Sequence, residues 1–279
     1  MPRLKEFWRL MTFNSFWDNG GAWPQLRQTM SFANTMMTGL PNFFTPNPLA
    51  FASRQFALGA ESAGFYSTKP LAKTLLSLVN FELISACKPR LTVGAAQVRN
   101  SQMRYFDSRD MTIGVNHVLA SGALPPAFPA ERIDGELNWD GGILSNTPAE
   151  VVFDDNPRRD SLIFAVHLWN PTGAEPESMA DEMRRHKDIQ YSSRVAGHIA
   201  RQLHSHRLRH VIKQLAEQVP PPTRNTTLVK ELESWGCVTR MHVVRLVAPM
   251  IENEDQGKDV DFSAEGIRRR WEAGYADAR

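Results

Sequence analysis

The chain has 279 residues, of which 42% are hydrophobic, and a formal net charge of +2 at pH 7. Its length allows one large domain or two modest ones, and its near-neutral charge gives no reason to expect nucleic-acid binding, which needs a strongly basic face. The N-terminus mixes charged with apolar residues, unlike a signal peptide, and no apolar run is long enough to cross a bilayer.

The two cysteines, Cys87 and Cys237, lie far apart and match no metal-binding spacing. A disulfide framework needs more cysteines than this, so a reduced compartment is the default. We therefore predict a cytoplasmic protein that uses neither a metal nor a cofactor.

The first part of the chain predicts helices. Met1–Met11 is expected to be amphipathic, because its apolar residues recur at helical spacing. The segment Phe13–Phe56 is rich in aromatic residues and methionines, which predicts either a helical cap over the core or a lid over an apolar pocket. Ser67–Leu78 should form a helix with Pro70 in its first turn.

Strands are expected further along the chain. Leu91–Val98 and Gln102–Phe106 predict a hairpin, and Ser161–Leu168 is an almost unbroken apolar run that predicts a buried strand. Cys237–Ala248 should add a strand at the edge of the sheet. Helices that alternate with such strands favour an α/β layered sheet.

The C-terminal part is predicted to be mostly helical. Met179–Gln218 should form one long helix that ends before three prolines. His206 and His210 are four residues apart and could share a metal, but no acidic residue lies between them, so a solvated basic face is favoured. A final helix should be capped by Ser263 and should turn an apolar stripe toward the core, comprising Ile267, Trp271 and Tyr275.

The most informative stretch runs from Ile113 to Glu150. It predicts a short helix, His117–Ala120, with Asn116 as its N-cap. A hairpin follows, in which Asp134-Gly135 supplies the two positions that need φ > 0. Asp140 then ends a strand, and Gly141 and Gly142 come directly after it.

Two glycines after a strand let the backbone turn sharply and leave the carboxylate of Asp140 uncrowded. Capping of the turn by this aspartate is the ordinary interpretation of an Asp-Gly pair. An active-site carboxylate is the alternative. Asn146-Thr147-Pro148 should then open a helix.

The order of these motifs resembles that of the patatin-like phospholipases, in the bacterial subfamily with a C-terminal extension of unknown function. Three further runs carry the resemblance, namely His167–Asn170, Lys187–Ser193 and Trp271–Tyr275. The resemblance implies a patatin-like layered sheet flanked by helices over residues 1–170, and a helical extension with one strand over residues 171–279. It also implies a serine lipid acyl hydrolase with a Ser–Asp dyad.

Carried over by position, the resemblance makes Asp140 the general base, with Gly141, Gly142 and Asn146 shaping the motif. The family also needs a Gly-x-Ser-x-Gly elbow and a glycine-rich oxyanion loop. The near match around Ser62 lacks the first glycine and follows no strand, and Gly20-Gly21 is weak evidence for an oxyanion loop. We therefore expect a chain truncated at its N-terminus that lacks the elbow and the strands before it, has no nucleophile and is inactive alone.

Three functions follow as hypotheses. The first is a lipid acyl hydrolase whose serine comes from an upstream segment or another chain. The second is a non-catalytic remnant that binds lipid or a partner, and the third is an interaction protein whose basic helix contacts an anionic partner. A lipid or acyl ester is the expected substrate, with transient contact at a membrane surface and no nucleic-acid partner; the sequence predicts no oligomeric state.

Overall fold

The structure is a computed structural model that describes residues 2–12, 24–86, 89–251 and 257–278. Contacts divide the chain into two compact units. The first comprises Met1–Ser145 together with Ile251–Arg279, and the second comprises Asn146–Met250. The predicted domain organisation, 1–170 and 171–279, is a different division and stays a prediction.

Helices occur in both units. The first unit holds α1 (Pro2–Met11), α2 (Pro24–Thr38), α3 (Pro48–Ala52), α4 (Lys69–Leu78), α5 (Phe81–Ser85) and α6 (Val115–Ser121). The second unit holds α7 (Glu150–Phe153), α8 (Met179–Gln218), α9 (Pro221–Arg224) and α10 (Thr227–Ser234). The last helix, α11 (Ala264–Asp277), belongs to the first unit. The helices predicted over Met1–Met11, Ser67–Leu78 and Met179–Gln218 are thus confirmed.

The strands of the described residues form three small sheets. The first unit contains an antiparallel pair, β1 (Thr45–Pro46) with β2 (Tyr66–Ser67), and a four-stranded antiparallel sheet made of β3 (Thr92–Gln97), β4 (Met103–Asp107), β5 (Glu131–Ile133) and β6 (Glu136–Asp140) in the order β4-β3-β6-β5. The second unit contains the parallel pair β7 (Ser161–His167) and β8 (Met241–Val247). The chain is therefore a mixed α/β protein, as expected, while the layered arrangement stays a prediction.

Both predicted hairpins of the four-stranded sheet are confirmed. In the turn between β5 and β6, Asp134 and Gly135 have φ of 51° and 81°, and Ile133 pairs with Glu136. In the turn between β3 and β4, Ser101 has a φ of 57°. Left-handed backbone at these positions matches the twist of the flanking strands, which fixes the register of the sheet.

One face of this sheet is closed by apolar packing. Phe106 of β4 and Ile113 are completely buried and pack with Ala95, Ala120 and Ile133. Burial of side chains as large as those of Phe106 and Ile113 supplies roughly 1.5–3 kcal/mol each in favour of folding. The strand end at Asp140 is thus held by a sheet with its own core.

Two predicted helix starts and one predicted core stripe need correction. Helix α6 is capped by Gly114 and not by Asn116; the Nδ1 atom of His117 accepts a hydrogen bond from the Gly114 N–H at 2.9 Å. Helix α7 begins only at Glu150, so Asn146-Thr147-Pro148 does not open it. Ser263 does cap α11, accepting a bond from the N–H of Gly266, but Tyr275 and Trp271 are exposed, so the predicted core stripe is wrong.

The strand β7 lies where it was predicted, but it is not buried on both faces. Ala165 and His167 face the core, whereas Leu162, Phe164 and Val166 are 61%, 60% and 59% exposed. An apolar run cannot tell one-sided from two-sided burial, because each apolar side chain is equally compatible with either face. The apolar side of α8 is also open in its second half, at Leu208, Val211 and Leu215.

Candidate functional site

Asp140 is the last residue of β6, where it pairs with Ala95 of β3. Its backbone N–H donates to the carbonyl of Ala123 at 3.0 Å. A single turn of 3-10 helix, Gly141–Ile143, follows at once, and Asp140 is its N-cap. The strand and the turn therefore fix the backbone on both sides of the carboxylate.

The carboxylate of Asp140 is half-buried and sparsely partnered. Its Oδ1 atom accepts a hydrogen bond from the N–H of Gly142 at 2.7 Å, and within the described residues no cation forms an ion pair with it. Burial raises the pKa of Asp140 above its ordinary value, and the Gly142 N–H opposes this in part. A carboxylate with a raised pKa is a better proton acceptor than a free aspartate.

Gly141 is required by close packing. A Cβ atom at this position would lie 2.5 Å from the carbonyl oxygen of Gly94 in β3. Any other residue would push the turn away from the sheet, and the carboxylate of Asp140 would move with it. The first glycine of the Asp-Gly-Gly motif thus lets the turn approach the neighbouring strand.

Two buried polar atoms near this motif have no hydrogen-bond partner among the described residues, Oδ1 of Asn138 and Oγ of Ser145. Buried polar atoms are paired in most proteins, and exceptions concentrate at functional sites. Neither residue was predicted from the sequence to belong to the site. The available signal was the alternation of β6, which turns Asn138 to the buried face of the strand.

The near match to a serine elbow lies in a different setting. Ser62 is exposed in a turn and its N–H donates to the carbonyl of Gly59 at 3.0 Å. The element before it is the helix α3, so the strand–turn–helix geometry of an elbow is missing at this serine. Gly20-Gly21 lies outside the described residues.

Asn146 belongs to the second unit, in which it lines a small pocket of about 60 Å³. His167, at the C-terminal end of β7, lines the same pocket, and its buried Nε2 atom has no partner within the described part of the chain. Burial, assisted by the charge of Arg245, lowers the pKa of His167 and so favours the neutral imidazole. The C-terminal ends of parallel strands are common ligand sites.

The predicted basic face of α8 is wrong at His206. This side chain is 7% exposed, and its Nε2 atom lies 2.9 Å from the carbonyl oxygen of Thr239. Burial is the largest cause that lowers the pKa of His206, and nearby positive groups, among them Arg209, add to it. A buried neutral imidazole does not belong to a solvated cationic surface.

Two family models match the chain, and both describe patatin-type phospholipases. The model of the patatin-like phospholipase family matches residues 3–153, more than half of the 279 residues, and that of a family described as patatin phospholipase matches residues 189–279. No curated protein matches the chain. None of the described helices combines the length and apolar character needed to span a bilayer.

A mixed α/β chain matched in this way is of the lipid acyl hydrolase class. The protein belongs to the patatin-like phospholipase family, as the motifs of the sequence predict. Membership in this family implies that lipids are the substrate class. The Asp-Gly-Gly turn lies within residues 3–153, the part that the patatin-like model matches.

Proposed function

We propose that this chain carries the general-base half of a patatin-type lipid acyl hydrolase, with Asp140 as the base. In this mechanism Asp140 takes the proton of a serine as the serine oxygen attacks the ester carbon. The proton then passes to the departing alcohol. A water molecule, deprotonated by the same carboxylate, finally releases the fatty acid.

The observation that carries the proposal is that the backbone of Asp140 is fixed on both sides, while its carboxylate accepts a single hydrogen bond from the described residues. The strand β6 ends at this residue and the 3-10 turn follows it. A general base needs a fixed position and a free lone pair. Gly141 supports this role, since its missing side chain lets the turn pack against β3.

The nucleophile has to come from outside these residues. The 279-residue sequence contains no Gly-x-Ser-x-Gly, and Ser62 lacks the geometry of an elbow. Without a nucleophile only background reaction is expected. We therefore infer that the chain hydrolyses no ester alone and gains activity with a segment that supplies the serine and the oxyanion donors.

The first experiment assays the purified chain on a chromogenic short-chain ester. We expect no turnover above that of the Asp140→Asn variant. The DNA upstream of Met1 is then read for an elbow motif, and the extended protein is assayed in the same way. Its activity should fall about 10²–10⁴-fold on Asp140→Asn.

The matched control is Asp110→Asn in the extended protein, because Asp110 is exposed and lies outside the Asp-Gly-Gly turn. Its activity should equal that of the unaltered protein. Turnover of the extended protein that survives Asp140→Asn would show that another group accepts the proton. Turnover by the 279-residue chain alone would refute the inferred lack of a nucleophile.

The open face of β7 favours a second candidate, a non-catalytic lipid-binding remnant. Leu162, Phe164 and Val166 are exposed side by side on alternate positions of this strand. Exposed apolar patches of this kind mark binding surfaces. Two results together would favour this candidate. The chain should co-sediment with phosphatidylcholine vesicles and lose this binding on Phe164→Asp, and the extended protein should show no esterase activity.

A further inference from the structure

A second group of reactive side chains lies outside the strand end at Asp140. His206 and His210 of α8 and Cys237, in the segment before β8, bring one ligand atom each to within 4.8 Å of one another. All three residues belong to the second unit. Sequence spacing does not connect the histidines with the cysteine, because Cys237 lies 27 positions after His210.

The backbone brings these side chains together. Residues four apart lie on the same face of a helix, so α8 presents both imidazoles in one direction. The N–H of Cys237 donates to the carbonyl of Arg209 at 3.2 Å, which ties the cysteine to the same helix. At Gly236 a Cβ atom would lie 3.0 Å from the backbone nitrogen of Lys213, so a glycine permits this close approach.

The backbone carbonyl of Thr239 contacts both imidazoles. Its oxygen lies 2.9 Å from Nε2 of His206 and 2.7 Å from Nε2 of His210. When each Nε2–H donates to this oxygen, the opposite nitrogen, Nδ1, keeps its lone pair. Histidines that bind metals in proteins almost always donate their other N–H to such a partner.

The cysteine completes this arrangement. Nδ1 of His206 lies 3.7 Å from Sγ of Cys237. A nitrogen and a sulfur bound to one tetrahedral zinc are separated by roughly 3.5 Å, given the usual bond lengths. The hydroxyl of Thr239 donates toward the same sulfur at 3.6 Å, so Thr239 contacts the cysteine as well as both imidazoles.

We propose that His206, His210 and Cys237 form a zinc-binding site, with Thr239 as its outer partner. Two imidazoles and one thiolate suit zinc and not magnesium or calcium, which prefer oxygen ligands. Three protein ligands leave the fourth position of a tetrahedral ion for water or another donor. The Cys237 thiol gives its proton to solvent when the metal binds.

The surrounding charges allow a cation in this position. Of the two guanidinium groups that act on His206, that of Arg209 forms an ion pair with Asp154 at 2.6 Å. The other, of Arg158, donates to the carbonyl of Phe153 at 3.1 Å, and Arg209 donates to the same carbonyl. Both guanidinium groups therefore bind oxygen atoms of Phe153 or Asp154.

The test titrates the metal-free full chain with zinc. We expect one ion to bind per chain, and we expect its affinity to fall about tenfold or more in Cys237→Ser and in His210→Ala. Cys237→Ser is the most informative variant, because it keeps the size of the side chain and leaves both bonds to the Thr239 carbonyl in place. The matched control is His204→Ala, which removes an exposed histidine of the same helix and should leave the affinity unchanged.

A second measurement separates metal binding from a purely structural role of the histidines. Cobalt(II) should give a thiolate-to-metal charge-transfer band in the unaltered chain and in Cys87→Ser, and no such band in Cys237→Ser. Circular dichroism checks that each variant is folded. Zinc affinity that is equal in the unaltered chain and in Cys237→Ser, or a chain that binds no zinc, would overturn the proposal.

Discussion

Two aspartates end strands of the same antiparallel sheet, Asp107 in β4 and Asp140 in β6, and their surroundings are opposite. The carboxylate of Asp107 accepts bonds from Nε of Arg90 at 2.8 Å, from the hydroxyl of Thr92 at 2.8 Å and from the N–H of Arg109 at 2.8 Å. That of Asp140 accepts one described bond, from the N–H of Gly142.

The two pKa values move in opposite directions for this reason. The Arg90 hydrogen bond is the largest cause that holds the pKa of Asp107 well below its usual range. Burial is the largest cause that raises the pKa of Asp140, and no cation of the described residues forms an ion pair with it. A buried carboxylate whose oxygens all accept hydrogen bonds stabilises its sheet. One with few hydrogen bonds costs stability and keeps a lone pair that can accept a proton.

The largest effect is expected when Asp107 loses its cation. Arg90→Ala would leave a carboxylate that is 9% exposed without its ion pair, so the free energy of unfolding should fall by about 2–4 kcal/mol. Urea unfolding measures this change. Arg99→Ala, which removes an arginine that is 84% exposed, should cost less than about 1 kcal/mol. Equal losses in the two variants would contradict the structural role of Asp107.

The next effect concerns the turn after Asp140. Gly141→Ala should lower the free energy of unfolding by about 1–3 kcal/mol, since its Cβ would collide with the Gly94 carbonyl. Gly274→Ala is the control, because a Cβ in that part of α11 meets no atom within 4 Å and alanine favours the helix. Thermal unfolding of both variants measures the difference. The prediction fails if Gly141→Ala is as stable as Gly274→Ala.

A smaller effect of opposite sign is expected at Asp140 itself. Asp140→Asn removes a half-buried charge that has no ion pair with any described residue, so it should stabilise the fold at pH 7 by about 0.5–1 kcal/mol. Asp110→Asn, at an exposed site, should change stability by less than about 0.5 kcal/mol. A destabilised Asp140→Asn variant would mean that the charge of Asp140 supports the fold.

The finest distinction between the two aspartates lies in their pH dependence. The pKa of Asp140 is raised in the folded chain, so the advantage of Asp140→Asn should be absent below roughly pH 4 and grow as the pH rises through the folded pKa. The pKa of Asp107 is lowered, so the loss caused by Asp107→Asn should stay constant from about pH 5 to 7 and shrink at more acid pH. The free energy of unfolding of each variant, measured against the unaltered chain from about pH 4 to 7, gives the two pH profiles. Profiles that change with pH in the same way would contradict the contrast between the two aspartates.

Local patterns in the sequence predicted the hairpin and the strand end at Asp140, but not the N-cap of α6 or the start of α7. Asp134-Gly135 specified its hairpin, because only certain residues tolerate two consecutive left-handed positions, and the end of β6 at Asp140 followed from it. The role of Asp140 as a base remains a prediction. Neither the hydrogen bonds of Asp107 nor the isolation of Asp140 could be predicted, because both depend on which distant residues the sheet brings near.

The same limit explains the errors elsewhere. His206 was wrongly assigned to a solvated face, and its proximity to Cys237 was not predicted, because sequence spacing does not show that a segment 31 residues away folds back onto α8. The open face of β7 was missed because an apolar side chain carries no information about whether another element covers it. Periodicity predicts which side chains share a face, and tertiary contacts decide what that face meets.

The parallel pairing of β7 and β8 has a kinetic consequence. Ser161 pairs with Met241, so 80 residues of chain must be ordered or looped out before this ladder can close. The hairpins of the first unit close across turns of only a few residues, as between Ile133 and Glu136. Because the entropy lost on closing a loop grows with its length, refolding should begin at these hairpins, and the β7–β8 ladder should be among the last parts to gain protection from hydrogen exchange.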